Sequence, residues 1–124
     1  MGAISVLVDT DVFIDWFNTG RWSALFASGR FRVYYSAVTR KELLSKPGLS
    51  DAERRAIVDE LRHFRLVRID VRIAESYATL RRQHRGLERE DALIAATALV
   101  KRLPLVTRNR RHFAVVRELV LFGA

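Results

Sequence analysis

The feature of this sequence that most constrains its fold is a short apolar run that ends in two carboxylates. Residues 4–8 carry no charge and are mostly aliphatic, which is typical of a strand buried in a parallel sheet. Asp9 and Asp11 follow, so the strand would deliver both side chains to the carboxyl edge of the sheet, where open α/β folds bind ligands. Two neighbouring carboxylates repel each other unless a cation or a proton intervenes. The segment therefore predicts a metal or phosphoryl-chemistry site, although capping of the next helix would account for one of the two.

The rest of the chain alternates between strand-like and helix-like segments. Further strands are predicted at 31–35, 66–69, 103–107 and 119–122, the first of them from its many β-favouring side chains. Helices are predicted at 12–17, 22–27, 38–45, from Ser50 to about residue 64, from Asp70 to about residue 85, and at 88–101. This alternation predicts a single α/β/α domain over residues 1–124, with a mostly parallel five-stranded sheet.

Three further polar positions follow predicted strands. Glu42 lies on the helix after the second strand, and Asp91 lies in the first turn of the apolar helix 88–101, where the helix dipole alone would also favour an Asp. The turn Thr107-Arg108-Asn109 follows the fourth strand. Oxygen ligands select Mg²⁺ or Mn²⁺ over zinc, and the sequence has neither cysteine nor two histidines at helical spacing. The sequence therefore favours a magnesium or manganese site at this edge.

The chain is strongly basic, with a formal net charge of +8 and only three lysines among its 22 basic residues. Arginine forms planar, bidentate contacts to phosphate that lysine cannot form. One interpretation is a polyanionic partner, nucleic acid first, and the other is a solvated, arginine-rich surface. Several acidic residues stand at the ends of apolar runs inside this otherwise basic protein, which favours the first interpretation.

The composition also excludes several classes of protein. No apolar run reaches the roughly 18 residues that a membrane span requires. We find no basic segment with an apolar core and a small-residue cleavage site, so no secretory signal is predicted. Without cysteine there can be no disulfide and no thiolate metal site, which is consistent with a cytoplasmic protein.

Four short motifs occur in order along nearly the whole chain. They are Leu7-Val8-Asp9-Thr10-Asp11-Val12, Ser36-Ala37-Val38-Thr39-Arg40-Lys41-Glu42-Leu43, Asp91-Ala92-Leu93-Ile94-Ala95-Ala96, and Val106-Thr107-Arg108-Asn109 followed by His112-Phe113. In this order and at this chain length, the four motifs together resemble the PIN-domain ribonucleases, and within them the VapC-type toxins of toxin–antitoxin pairs.

The resemblance implies a five-stranded parallel sheet, an RNA endonuclease that depends on Mg²⁺ or Mn²⁺, a homodimer, and a cognate antitoxin that blocks the site. It assigns the three strictly acidic, metal-binding catalytic positions to Asp9, Glu42 and Asp91. Asn109 would take the fourth catalytic position, which is often Asp in this family. Asp11 and Thr107 would support the first carboxylate without binding the metal directly.

Two other functions stay open on the sequence. Residues 8–12 also resemble the first motif of haloacid-dehalogenase-type phosphatases, in which Asp9 would be a covalent nucleophile and Asp11 an acid/base. That family needs a later lysine and a downstream acidic pair on a longer chain. The second alternative is a PIN-like module that binds nucleic acid or protein without cutting, which the missing fourth acid permits.

Two further side chains invite a functional interpretation beside a structural one. His112 is a candidate general acid, but its neighbour Phe113 favours packing in the core. The many aromatic residues between Phe13 and Phe26 exceed what two short helices need, which predicts an antitoxin or dimer contact around Trp22, with core packing as the alternative.

Overall fold

The computed structural model describes residues 2–123 and contains a four-stranded sheet. The strands are β1 (Ile4–Val8), β2 (Phe31–Ser36), β3 (Arg65–Val67) and β4 (Leu105–Val106). The helices are α1 (Thr10–Thr19), α2 (Ser23–Phe26), α3 (Ala37–Leu44), α4 (Asp51–Leu61), α5 (Val71–Gln83), α6 (Arg89–Lys101) and α7 (Arg110–Phe113). The strand order is β3-β2-β1-β4 and every neighbouring pair is parallel, which confirms the predicted α/β class.

The predicted fifth strand over residues 119–122 is wrong. This segment meets the sheet in one isolated parallel bridge between Leu105 and Leu121. β4 offers it only two residues, because Pro104, which has no N–H to donate, precedes the strand and the chain turns away after Val106. A side chain helps to hold the segment instead, since Arg110 donates a hydrogen bond of 3.1 Å to the carbonyl of Phe122.

Two apolar cores lie on opposite faces of the sheet. Alternation along β1 directs Val6 and Val8 into one core and Leu7 into the other, and all three are fully buried. The Leu7 core is closed by α5 and α6, and the other core receives side chains from α1, α3 and α4. The predicted three-layer arrangement is therefore confirmed. Helix α6 is buried from Ala92 to Ala98 apart from the partly buried Leu93, as its small apolar sequence predicts.

The predicted helix boundaries are set by side-chain caps. The hydroxyl of Ser36 accepts backbone N–H groups of the first turn of α3, and Ser50 and Glu53 form a reciprocal capping box on α4. Asp70 accepts the N–H of Ile73 at 2.9 Å and begins α5. Gly20 ends α1 in the left-handed conformation, with φ 75°. Each side-chain cap is worth about 1 kcal/mol.

The aromatic residues between positions 13 and 26 pack mainly on one another. Phe13 is fully buried, and Trp16 stacks on Phe26 with ring centroids 4.1 Å apart and planes 12° apart. Trp22 is partly buried against the same core and donates its indole N–H to Asp15 at 2.8 Å. Core packing therefore accounts for most of these rings, and a partner contact at Trp22 stays a prediction.

The order of the strands creates a place for a ligand at the carboxyl end of β1. From β1 the chain passes to β2 on one side, whereas β4 joins β1 on the other side. The carboxyl end of β1 is thus a switch point, the usual place for a ligand in an open parallel sheet. Within residues 2–123, no helix is both long and apolar enough to span a membrane.

Candidate active site

Asp9 lies at the switch point and is held on both carboxylate oxygens. It directly follows β1 and caps α1, with Oδ1 accepting the N–H of Thr10 at 2.8 Å. Oδ2 accepts the hydroxyl of Thr107 at 2.8 Å, and Thr107 in turn accepts the N–H of Asn109 at 2.9 Å. Only 4% of Asp9 is exposed. The capping role and the site role that the sequence offered as alternatives therefore fall on the same side chain.

This environment disfavours the ionised form of Asp9. Burial raises the pKa of its carboxyl to about 7, and the charge of Asp11 acts in the same direction. The hydrogen bonds from Thr107 and Thr10 oppose the rise in pKa, and the charge of Asp91 adds to it. A buried carboxyl that is neutral in weak acid and charged in weak base is a common property of functional sites.

Asp11 is one residue into α1 and is partly buried beside Asp9. Its Oδ1 is buried and has no hydrogen-bond partner among the described residues. Burial raises the pKa of the Asp11 carboxyl, while the backbone N–H and the guanidinium of Arg108 lower it. A buried carboxylate oxygen without a donor is costly and is a natural ligand for a cation. Asp11 therefore lies in the site beside Asp9, and its supporting role stays a prediction.

Glu42 projects from α3 and is held by a hydroxyl that sequence reasoning missed. Its Oε1 accepts the hydroxyl of Thr10 at 2.6 Å, and the hydroxyl oxygens of Thr10 and Thr39 are 2.9 Å apart. Thr10 joins Asp9 to Glu42 because its backbone N–H serves one and its side chain the other. The signal was available: Thr39 lies three residues before Glu42 on the same helical face, and Thr10 stands between two site aspartates.

Asp91 approaches the same region from the first turn of α6. Burial raises the pKa of its carboxyl, and the charges of Glu88, Glu42 and Asp11 add to the rise, whereas His112 opposes it. Nδ1 of His112 is 3.9 Å from Oδ2 of Asp91, and 64% of the His112 side chain is exposed. The expectation that His112 packs in the core is therefore wrong. Of these two neighbours, only Phe113 is buried.

Asn109 begins α7 at the exposed rim of the site. Its side chain makes no capping hydrogen bond, so capping does not account for an Asn at this helix start. Its connection to the acidic residues runs through its backbone N–H, which donates to the hydroxyl that holds Asp9. Within residues 2–123, the side-chain amide of Asn109 makes no hydrogen bond to a carboxylate.

The predicted acids converge without forming a closed cluster. The charges of Asp11 and Asp91 raise the pKa of Asp9, and the charges of Glu42 and Asp11 raise the pKa of Asp91, so the four side chains face a common region. No three acidic, histidine or cysteine side chains within residues 2–123 stand close enough for a ready-made metal cluster. Carboxylates without a counter-charge between them repel, and here hydroxyl groups satisfy two of them separately.

A cleft of about 400 Å³ adjoins Asp91 on the side of α7. Its other lining residues are His84, Gly86, Leu87, Glu88, Arg111, His112 and Val115. The set combines two carboxylates, one guanidinium and two imidazoles with aliphatic side chains, so the cleft is mixed in charge.

Comparisons with known proteins identify the family of this chain. The PIN domain family model matches residues 6–119. Ribonuclease VapC1 of Methanocaldococcus jannaschii is 32% identical over 118 residues, which cover 91% of this chain and 82% of that protein. A chain of a toxin-antitoxin complex from Klebsiella pneumoniae is 28% identical with a TM-score of 0.75, and the alignment covers 93% of this chain and 95% of that chain.

A second solved structure shows the same fold at lower identity. In VapBC2 from Rickettsia felis, bound to a DNA fragment from their promoter, one chain has a TM-score of 0.82 at 20% identity, and the alignment covers 95% of this chain and 97% of that chain. The family match spans both Asp9, after β1, and Thr107, after β4, so it includes the whole acidic edge described above. The chain therefore belongs to the PIN-domain family, among its VapC-type proteins.

Proposed function

We propose that this protein is an RNA endonuclease that depends on Mg²⁺ or Mn²⁺ and serves as the toxin of a toxin–antitoxin pair. The observation that carries the proposal is the buried Asp9 carboxyl at the switch point of a PIN fold, among three further acids. The relative named as a ribonuclease, matched over 91% of this chain, supports the reaction, and the fold match to a toxin–antitoxin complex supports the pairing.

The donor set fits a hard divalent cation. We assign Asp9, Glu42 and Asp91 as its ligands, because carboxylate oxygens are the donors that Mg²⁺ and Mn²⁺ prefer. The orphaned Oδ1 of Asp11 is the structural sign that a positive charge belongs here. Asn109 would contribute a neutral carbonyl oxygen at the rim. When bound, such a cation lowers the pKa of a water molecule and polarises a phosphate ester.

The chain's own groups orient and protect this site. Thr107 and the N–H of Thr10 fix both oxygens of Asp9, and the hydroxyl of Thr10 fixes Glu42. Two carboxylates are therefore oriented before a ligand binds. Preorganised ligands of this kind lose little entropy on binding. The basic surface would hold the RNA backbone, since each neutralised phosphate releases counterions.

The partner and the place of action follow as part of the same proposal. A cognate antitoxin would block the acidic edge, and the fold match to a chain of a toxin-antitoxin complex supports such a partner. The homodimer implied by the sequence resemblance remains a prediction. Because the proposed substrate is RNA, we place the activity in the cytoplasm.

The experiment is incubation with a panel of structured RNAs, with and without Mg²⁺, followed by mapping of the cut ends. Asp9→Asn should abolish cleavage while circular dichroism stays unchanged. The matched control is Asp70→Asn, which alters another helix cap on an exposed surface and should leave cleavage intact. A covalent phosphate on Asp9 would instead indicate the phosphatase, and metal-independent RNA binding without cleavage would indicate a binding module.

A further inference from the structure

One buried carboxylate near the site has no place in the proposed reaction. Asp15 lies one helical turn beyond Asp11 on α1, and only 9% of it is exposed. Its Oδ2 accepts the indole N–H of Trp22 at 2.8 Å. Burying a carboxylate is costly unless hydrogen bonds and charges compensate it, so the groups that contact Asp15 indicate why it is buried.

The second oxygen of Asp15 faces an arginine from the strand end of the site. The guanidinium Nη1 of Arg108 is 3.9 Å from Oδ1 of Asp15, while Arg21 approaches Oδ2 at 4.0 Å. Because the bond from Trp22 fixes one oxygen, the other is presented to Arg108. Asp11 lies on the same helical face, and both the backbone N–H and the guanidinium of Arg108 act on it.

Arg108 is thus held at the rim of the acidic edge by two carboxylates. It directly follows Thr107, the residue that fixes Asp9, so its backbone position is determined by the site itself. Its distance to Asp15 exceeds that of a hydrogen bond, and half of its side chain is exposed, so its donors stay available. A planar guanidinium with free donors matches a phosphodiester.

We propose that Arg108 binds a phosphate of the RNA backbone at the mouth of the site, and that Asp15 is the positioning residue that holds it there. The inference rests on the proposed function for the choice of RNA as the polyanion. A chain of phosphates approaching an edge of several acids meets repulsion there, and a positively charged group at the rim offsets it.

Arg21 is the matched control because it shares Asp15 but not the site. Its side chain is 72% exposed and reaches the Asp15 oxygen that also accepts from Trp22. Loss of either arginine removes one positive charge beside Asp15. Only the loss of Arg108 removes a donor next to Asp11. A general effect of net charge would therefore be the same for both variants.

Binding should be measured in EDTA, so that cleavage plays no part. The probe is a fluorescein-labelled single-stranded RNA, titrated by anisotropy over a range of KCl concentrations. Arg108→Ala should weaken binding about tenfold and reduce the slope of log K against log salt by about 0.7, the value for one phosphate contact on a single strand. Arg108→Lys should restore most of the slope, and Arg21→Ala should change affinity less than Arg108→Ala does.

Asp15→Asn distinguishes positioning from a general effect of charge, because the two predict opposite changes in RNA affinity. Removing a negative charge tightens the binding of a polyanion unless that charge positions a phosphate ligand. We therefore expect Asp15→Asn to weaken RNA binding several-fold and to raise the KM of cleavage more than it lowers kcat. The exposed Asp59, 70% accessible on α4, supplies the control: Asp59→Asn should bind as tightly as the wild type or tighter.

The outcomes separate this inference from the proposed function. Equal effects of Arg108→Ala and Arg21→Ala, or unchanged or tighter binding by Asp15→Asn, would overturn the inference even if the wild type cuts RNA in Mg²⁺. RNA binding that depends on Arg108 and Asp15 would support the inference even if no RNA is cut. In that case only the proposed nuclease activity would be refuted. Thermal melts of each variant confirm that the protein is folded during the titration.

Discussion

Replacing Asp9 by Asn should stabilise the metal-free protein, by an amount that grows with pH. The pKa of the Asp9 carboxyl rises from 3.8 to about 7, mainly because it is buried. A difference of about three units corresponds to roughly 4 kcal/mol between the two protonation states. The folded protein binds this proton more tightly than the unfolded chain, so its stability falls as pH rises from about 4 through about 7, and the loss is nearly complete by about pH 8.

The substitution should leave the local hydrogen bonds intact. Asn is a good helix cap and still accepts the N–H of Thr10, and the hydroxyl of Thr107 can rotate to accept from the amide. We therefore expect the gain in the free energy of unfolding to be near zero at pH 4 and to approach about 4 kcal/mol at pH 8. Urea denaturation in EDTA at half-unit steps of pH measures it.

The control for this experiment is Asp70→Asn, which should show the opposite sign. The N–H of Ile73 and the ammonium of Lys101 lower the pKa of Asp70, so its ionised form stabilises the fold and the variant should lose stability towards neutral pH. A gain for Asp9→Asn that does not vary with pH, or a loss at pH 8, would refute the argument that burial of a charged Asp9 destabilises the protein.

Three further predictions concern the rest of the site and the aromatic core. Asp91→Asn should raise the melting temperature in EDTA, because it removes a carboxyl whose pKa is raised by burial and by neighbouring acids. It should also reduce the stabilisation by Mn²⁺. A lower melting temperature with an undiminished Mn²⁺ effect would count against a carboxylate site. Asn109→Asp should tighten Mn²⁺ binding in a calorimetric titration, whereas Asn109→Ala should slow cleavage and keep most of the affinity; equal binding by the wild type and the Asp variant, with full activity of the Ala variant, would leave Asn109 no role in the site. Trp22→Phe keeps an aromatic side chain but loses the hydrogen bond to Asp15, the residue proposed to position Arg108. We expect weaker RNA binding with little change in the melting temperature. A clearly lower melting temperature with unchanged RNA binding would make Trp22 a core residue only.

The fold class and the position of the site were predictable because they depend on local pattern. A charge-free strand before Asp9, the Ser50–Glu53 capping box and the apolar helix after Asp91 are each specified by a few adjacent residues. The parallel arrangement of the strands then follows from the alternation of strands and helices, and it brings the strand ends to one edge. The resemblance to a known family was confirmed by the match over residues 6–119.

What could not be predicted depends on contacts between distant residues. The length of β4 is limited by Pro104 and by the turn at Thr107, so residues 119–122 find only one bridge although they look like a strand. The hydroxyl of Thr10 serves Glu42, 32 residues away, and no local pattern shows that pairing. The exposure of His112 beside the buried Phe113 likewise depends on how α7 sits on the sheet.

The hydrogen bond from Thr107 to Asp9 also governs when the site can appear during protein synthesis. The two residues are 98 positions apart, and β1 must wait for β4 to become its neighbour. At about 5–20 residues per second, the ribosome needs roughly 5–20 s to make the intervening chain. Throughout that time Asp9 lacks one of its two donors and the edge of the sheet is incomplete. A nascent chain therefore carries no assembled site until Thr107 has been made and β4 has paired with β1.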